Sequence, residues 1–227
     1  VVEAGDSASY DQGRGRSDRV GDPIERGRFA GPTLSRVFPD RLRLPLRFDP
    51  ARLERDLARL RAAAWTRHFV TQNYAGDWSA IPLRGPAGET HPIRMIYADP
   101  TASAFEDGPA LSATPYFRAV LAAFACPLQS VRLMRLTPGS RIETHSDYDL
   151  DFESGTIRIH VPVVTNPGVE FRLNGAPVPL AAGSAWYLRL SDPHSVDNRG
   201  DADRVHLVID AVADDWARDL LSRGTPD

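Results

Sequence analysis

The residues best equipped for chemistry are His145 and Asp147, separated by one serine, then His194 far along the chain and Arg204 ten positions beyond it. Side chains two apart on an extended strand project from one face, so His145 and Asp147 can converge on a single point. A second imidazole there completes a set of two histidines and one carboxylate, which covers half of an octahedral metal and leaves the other half open. Neutral imidazoles with a carboxylate suit Fe(II) or Mn(II) better than a thiolate-preferring metal. A His-X-Asp tripeptide alone is common, and a lone His or Asp at a turn usually serves hydrogen bonding or the surface. The surroundings strengthen the reading. Pro138-Gly139 turns the chain before His145, an acidic loop from Asp149 to Glu153 follows, and His194 is expected at the end of the strand that carries Trp186 and Tyr187.

The elements that must position these residues are mostly strands. Val131 to Leu136, Thr156 to Val164, Val169 to Leu173, Ser184 to Leu190 and Val205 to Val212 are β-rich, divided by Pro138-Gly139, Asn166-Pro-Gly168, Asn174-Gly175 and Asn198-Arg-Gly200. Short, regularly spaced strands with such turns predict a closed or sandwiched antiparallel sheet. Upstream, Leu42 to Leu46 reads as an edge strand containing a proline. Asp49-Pro50 starts a helix over roughly 50 to 64, with Leu53, Leu57 and Leu60 on one face. Phe69-Val70, Trp78 to Leu83 and Ile93 to Tyr97 read as short strands. Thr114-Pro115 opens a second helix with Tyr116, Phe117, Val120, Leu121 and Phe124 as its apolar face, and Asp214 to Leu221 forms a last one.

Composition bounds the rest. The 227 residues are 42% hydrophobic and 25% charged, enough for one well-filled core. Residues 1–39 are rich in Gly, Asp, Ser and Arg without periodicity, and read as a disordered tail; a single domain is expected over 40–222, with a C-terminal tail at 223–227. A net charge of -3 gives no basic field for nucleic acid or an anionic membrane. Cys126 is the single cysteine, so neither an internal disulfide nor a cysteine-based zinc cluster is available. With no long apolar run and no signal-like N-terminus, a cytoplasmic location is expected. All 27 basic residues of the Lys-plus-Arg class are Arg, in keeping with a GC-rich bacterial coding bias.

The stretch from Val131 to Asp210 resembles the aspartyl/asparaginyl β-hydroxylase family of Fe(II)- and 2-oxoglutarate-dependent dioxygenases, its bacterial proline-hydroxylating members most of all. The residues that carry the likeness are Pro138-Gly139, His145-Ser-Asp147-Tyr148, Ile157-Arg-Ile-His160 with Thr165-Asn166, Trp186-Tyr-Leu188, Pro193-His194-Ser195 and Arg204-Val-His-Leu-Val-Ile-Asp210. Upstream it extends more weakly to Trp78 and Pro82-Leu83-Arg84. The animal aspartyl hydroxylase pattern lacks a carboxylate two residues after its first histidine; this chain has Asp147.

The resemblance implies a double-stranded β-helix, a jelly-roll or cupin-like barrel, mainly β with flanking helices. It implies that His145, Asp147 and His194 ligate Fe(II), and that Arg204 pairs with the distal carboxylate of 2-oxoglutarate. A planar guanidinium suits a carboxylate in bidentate fashion, which supports Arg204 independently. Arg158 and His160 match positions near the metal-side carboxylate of 2-oxoglutarate; a core or sheet-face role fits them nearly as well. Trp78 is a candidate wall of the substrate pocket, or equally a core residue. His206 reads as structural. Dioxygen is the implied oxidant, with ascorbate as an aid in vitro. The implied substrate is a small amino acid, proline-like first, or an aspartyl or asparaginyl residue in a peptide. Arg94 or Arg141 are candidates for its carboxylate and Asp149, Asp151 and Glu153 for its amine, though all five fit solvated surface charges. Two other classes stay open: a cupin-type metal enzyme that does not use 2-oxoglutarate, needing the three ligands but not Arg204, and a non-catalytic cupin-like binding module. The oligomeric state is not legible.

Overall fold

The computed structural model describes residues 37–60, 65–96 and 101–227. Strand β1 (Arg41–Arg47) leads into helix α1 (Pro50–Arg59). Asp49 fixes the helix start: its carboxylate accepts from the N–H groups of Ala51 and Arg52, and Pro50 takes the first position, where no N–H is needed. Short strands β2 (Thr66–Arg67) and β3 (Tyr74–Ala75) precede the long β4 (Trp78–Pro86). Next come α2 (Pro92–Ile96), β5 (Phe105–Asp107), α3 (Pro109–Ser112) and α4 (Pro115–Leu121). The remainder is strand almost throughout: β6 (Leu128–Leu136), β7 (Arg141–His145), β8 (Thr156–Val164), β9 (Val169–Leu173), β10 (Ala176–Pro177), β11 (Ser184–Leu188), β12 (His194–Asn198) and β13 (Arg204–Val212). Helix α5 (Asp215–Ser222) closes the chain, with the Asp214 carboxylate accepting from the Ala217 N–H.

The strands build two antiparallel sheets, one in the order β1-β11-β8-β13-β6-β4-β2 with β5 added to β4, the other in the order β10-β9-β12-β7-β3. This is the double-stranded β-helix, or jelly roll, with helices flanking it. Strand β13 shows how period-two patterning sorts its residues. Val205, Leu207, Ile209 and Ala211 join Leu53, Phe117 and Leu220 in the core beneath the helices. Arg204, His206, Val208 and Asp210 alternate onto the opposite face, where Val208 packs with Phe171 and Val196 of the smaller sheet. Because both faces are covered, β13 is buried along nearly its whole length. The β9–β10 hairpin turns on Asn174 (φ 52°) and Gly175 (φ 77°), the left-handed pair that a two-residue loop of this hand requires.

The structure departs from the sequence reading at several elements. Ile93 to Tyr97, read as a strand, lies on helix α2 up to Ile96: Pro92 opens the turn and the Met95 N–H donates to His91 O (3.0 Å), while Tyr97 lies outside the described residues. Phe69-Val70 is an irregular bend following β2. Helix α1 ends at Arg59, short of 64, and residues 61–64 lie outside the described residues, as does most of the expected tail, residues 1–36. At its end, Phe38 packs edge-on against Phe152 (5.0 Å between ring centroids). The C-terminal segment does not trail free: Thr225 and Arg43 exchange two backbone hydrogen bonds of 2.9 Å. The strand expected to carry both His145 and Asp147 is β7, which ends at His145, so Asp147 lies beyond it; β12 is absent from the sequence reading, and His194 opens it rather than ending the strand of Trp186 and Tyr187. No helix among the described residues is long and apolar enough to cross a membrane.

Candidate metal centre

Strands β7 and β12 bring the two histidines together. His145, the last residue of β7, stands directly across from His194, the first of β12, and their ring centroids are 4.3 Å apart. Asp147 follows β7 and is pinned by its backbone, whose N–H donates to Leu190 O (2.8 Å). One ligand atom from each of the three side chains lies within 4.8 Å of the others. Hydrogen bonding also sets the tautomers. His145 Nδ1 donates to Glu143 O (2.8 Å) and His194 Nδ1 to Asp192 O (3.0 Å). A carbonyl can only accept, so both Nδ1 atoms carry a proton, and the neutral form of each ring presents its lone pair at Nε2. Burial drives His194 down to about 4, so its lone pair is free at neutral pH.

The carboxylate is oriented by a buried chain of charges. Arg158 Nη1 donates to Asp147 Oδ2 (2.7 Å), while its Nε and Nη2 donate to Asp210 Oδ1 and Oδ2 (2.6 and 3.0 Å). Arg158 and Asp210 face each other in the β8–β13 register, and Arg132 Nη1 reaches the same Asp210 Oδ2 at 2.9 Å. Burial alone would raise Asp210, but the two guanidiniums hold it far below the ordinary carboxylate range. Burial likewise opposes ionisation of Asp147, and the Arg158 guanidinium beside it is the largest of the influences that bring it below the ordinary carboxylate value.

Arg204 differs from Arg132 and Arg158. It is 2% exposed, its Nη2 donates to His206 Nδ1 (2.8 Å), and its Nε has no partner among the described residues. Burial without a counter-ion pushes it down to about 9. The bond from Arg204 means that His206 Nδ1 bears no hydrogen, so the 3.2 Å contact with His160 Nδ1 is a donation from His160. His160 Nε2 is thereby left as a lone pair without a partner, on the wall of the cavity.

The cavity encloses about 350 Å³, and Arg132, Asp147, Arg158, His160, His194 and Arg204 all line it. Trp78 is part of its wall, 6% exposed, with its indole N–H unpartnered among the described residues. It stacks flat on His68 (3.6 Å between centroids, 11° between planes) and stands 6.3 Å from His145. The Val70 N–H donates to His68 Nδ1 (3.4 Å), and burial holds His68 neutral, down to about 3.

His145, Asp147, His194, Arg204, Arg158, His160 and Trp78 therefore all line one cavity, with two of the expected contacts altered, whereas Asp149, Asp151 and Glu153 lie off its wall. Three of the five Arg158 N–H groups are committed to Asp210 and Asp147, and His160 presents a lone pair rather than a hydrogen, which cannot serve a carboxylate. Arg94 and Arg141 pair at the surface with Glu89 (3.6 Å) and Glu143 (2.6 Å), away from the cavity wall. Arg132 was missed altogether. Its one signal was a charge at an inward position of an apolar strand, Val-Arg-Leu-Met, which only the sheet register converts into a place in the site.

A profile of the aspartyl/asparaginyl β-hydroxylase family matches residues 51–214. The L-proline cis-4-hydroxylase of Rhizobium meliloti (strain 1021) is 27% identical over 178 residues, 78% of this chain and 62% of that protein, so this chain spans less than two thirds of that relative's length. Among solved structures, a member of the 2OG-Fe(II) oxygenase family from Burkholderia pseudomallei is 17% identical, with 76% of this chain and 85% of that one covered and a TM-score of 0.46. The viral collagen prolyl hydroxylase of Paramecium bursaria Chlorella virus-1 is 9% identical, with coverage of 78% and 97% and a TM-score of 0.45. By the extent of the profile match, most of its length, the chain belongs to the aspartyl/asparaginyl β-hydroxylase family.

Proposed function

We propose that this protein is an Fe(II)- and 2-oxoglutarate-dependent dioxygenase that hydroxylates an unactivated C–H bond of an amino acid, proline-like first. The observation that carries the reading is Arg204: a buried guanidinium with a free Nε and no counter-ion among the described residues, in the same cavity as two histidines and a carboxylate whose ligand atoms converge. A barrel that needed only a metal has no use for an uncompensated buried cation, and a carboxylate is the partner that a guanidinium fits best.

His145 and His194 would hold Fe(II) through Nε2, and Asp147 through the oxygen not bound by Arg158. When bound, the metal and 2-oxoglutarate supply the oxidising power from dioxygen, with succinate and carbon dioxide as co-products. The chain contributes placement. Glu143 and Asp192 carbonyls fix the imidazole planes, and Arg158 fixes the carboxylate rotamer, the outer-shell orientation that metal sites depend on. Arg204 would receive the distal carboxylate of 2-oxoglutarate, with His206 holding the guanidinium in place. Met134, Phe171, Leu190 and Val196 line the cavity and would exclude water around the bound reactants. Trp78 would form one wall for the substrate. The proline-like choice is supported by the likeness to the L-proline cis-4-hydroxylase.

The test is formation of succinate by purified protein supplied with Fe(II), 2-oxoglutarate, ascorbate and air, coupled to a mass-spectrometric search for a product heavier by one oxygen atom. Free amino acids and short aspartyl or asparaginyl peptides form the panel. A protein that forms no succinate and binds no Fe(II) would sink the proposal.

A further inference from the structure

Two of the three candidate metal ligands hang from one turn. Between β11 and β12 the chain passes through Arg189 to Pro193, where Leu190 O accepts the Asp147 N–H (2.8 Å) and Asp192 O accepts from His194 Nδ1 (3.0 Å). The Ser191 N–H adds a bond to Leu150 O (3.3 Å), just beyond Asp147. A shift of this turn would therefore move a carboxylate and an imidazole together. The side chains that hold it lie off the cavity wall. Arg189 and Asp192 are each 3% exposed, and the Arg189 guanidinium pairs with Asp192 Oδ2 (3.8 Å). The chemistry proposed above makes no use of either side chain.

Asn174, in the β9–β10 turn, ties Asp192 to a second part of the fold. Its Nδ2 carries two hydrogens and donates to Asp192 Oδ2 and to Asp40 Oδ2, both at 2.8 Å, while its backbone N–H donates to Pro193 O (2.9 Å). Asp40, just ahead of β1, accepts from Arg41 Nη2 (2.8 Å), and its carbonyl accepts the Arg189 N–H (2.7 Å). Two carboxylates thus share one amide, and Arg41 and Arg189 balance their charge. The hairpin itself asks only for a residue that takes φ 52°, which glycine does without strain. The amide that joins Asp40 to Asp192 is therefore a function of the side chain, separate from the turn.

We propose that Asn174 is a positioning residue for the metal centre. Acting through Asp192, it holds the Arg189–Pro193 turn in the one place that presents His194 and Asp147 together, so that a residue outside the cavity sets the affinity for the metal. The inference rests on the proposed function for the identity of the centre and adds to it a residue that touches neither metal nor substrate.

The experiment is anaerobic titration of Fe(II), and separately of Co(II), into wild type, Asn174→Gly and Asn174→Asp. It reads the dissociation constants, the visible absorption bands of the Co(II)-loaded proteins and the melting temperatures of the metal-free ones. Asn174→Gly keeps the left-handed turn and removes only the amide. It is expected to weaken both ions about 10-fold, the lower end of what residues that orient ligands contribute, and to change the Co(II) bands. Asn174→Asp also tolerates the left-handed region, but it sets a third carboxylate against Asp40 and Asp192 and should weaken metal binding further. If either variant keeps the wild-type dissociation constants and Co(II) bands and shows only a lower melting temperature, Asn174 is a turn residue and the inference fails. A wild type that binds neither ion would overturn the metal centre and the inference with it. Metal binding that responds to Asn174 in a protein that turns over no 2-oxoglutarate would defeat the proposed function alone and support the positioning role.

Discussion

Arg204→Met should make the empty protein more stable and the loaded protein less so. The guanidinium is buried, carries one hydrogen bond to a neutral histidine, and is pushed down to about 9 by burial with no counter-charge. A cation whose folded-state pKa is depressed destabilises the fold at every pH below that value, so at neutral pH the full penalty is present. Replacing it by an apolar side chain of similar length removes that penalty, and comparable replacements of buried charge stabilise by about 1–4 kcal/mol. At about 2–4 °C per kcal/mol for a domain of this size, the melting temperature of the metal-free protein should rise. The ligand response should go the other way. With metal present and 2-oxoglutarate at 100 times its dissociation constant, the wild type should gain about 2.7 kcal/mol, or roughly 5–11 °C. Loss of the carboxylate's partner weakens binding by about 100-fold, which leaves the variant only about 0.4 kcal/mol at the same concentration. Differential scanning calorimetry under anaerobic conditions, with and without 2-oxoglutarate, reads both effects. A variant that melts lower when empty and keeps the full 2-oxoglutarate shift would refute the reasoning about Arg204.

Asp147→Ala should lower Fe(II) affinity by more than about 100-fold, since even changes to residues that only orient ligands cost 10- to 100-fold, and equilibrium dialysis with iron analysis checks it. Asp210→Asn leaves Arg132 and Arg158 buried against a neutral amide and should cost about 3–5 kcal/mol in urea unfolding at pH 7. Because Asp210 is held far below its ordinary range, its contribution is complete above the unfolded value of about 4 and fades as the pH falls further; wild type should therefore lose stability towards pH 2, and Asp210→Asn should lose less. Trp78→Ala should raise the substrate KM while leaving the 2-oxoglutarate dissociation constant in place, measured by succinate release and calorimetry; a change in 2-oxoglutarate affinity alone would place Trp78 on the other side of the cavity.

What the chain's own patterning revealed, and what it hid, follow from the same physics. Strands β8 and β13 carry long β-branched runs bounded by turn residues, so their positions are readable, and two-residue alternation puts Arg158 with His160 and Arg204 with His206 on shared faces. Strands β7 and β12 are short, polar and half exposed, Arg-Ile-Glu-Thr-His and His-Ser-Val-Asp-Asn, and carry no hydrophobic period to detect. Their pairing sets His145 opposite His194 across a long stretch of chain, a non-local fact that spacing along the sequence does not contain. Helix α2 was misread because Ile-Arg-Met-Ile has strand-like composition, while Pro92 and tertiary burial of Met95 and Ile96 set it as a helix. The role of Arg132 needed the register of three strands and the position of Asp210 before its charge meant more than a surface arginine.

The most direct measurement of the account is the stoichiometry of a single reaction mixture: purified protein, Fe(II), 2-oxoglutarate, isotope-labelled dioxygen and the amino-acid and peptide panel. The predicted result is succinate formed in equal amount to a product that has gained one labelled oxygen atom, abolished together in His145→Ala. A protein that binds no Fe(II), turns over no 2-oxoglutarate and oxidises nothing in the panel would contradict it.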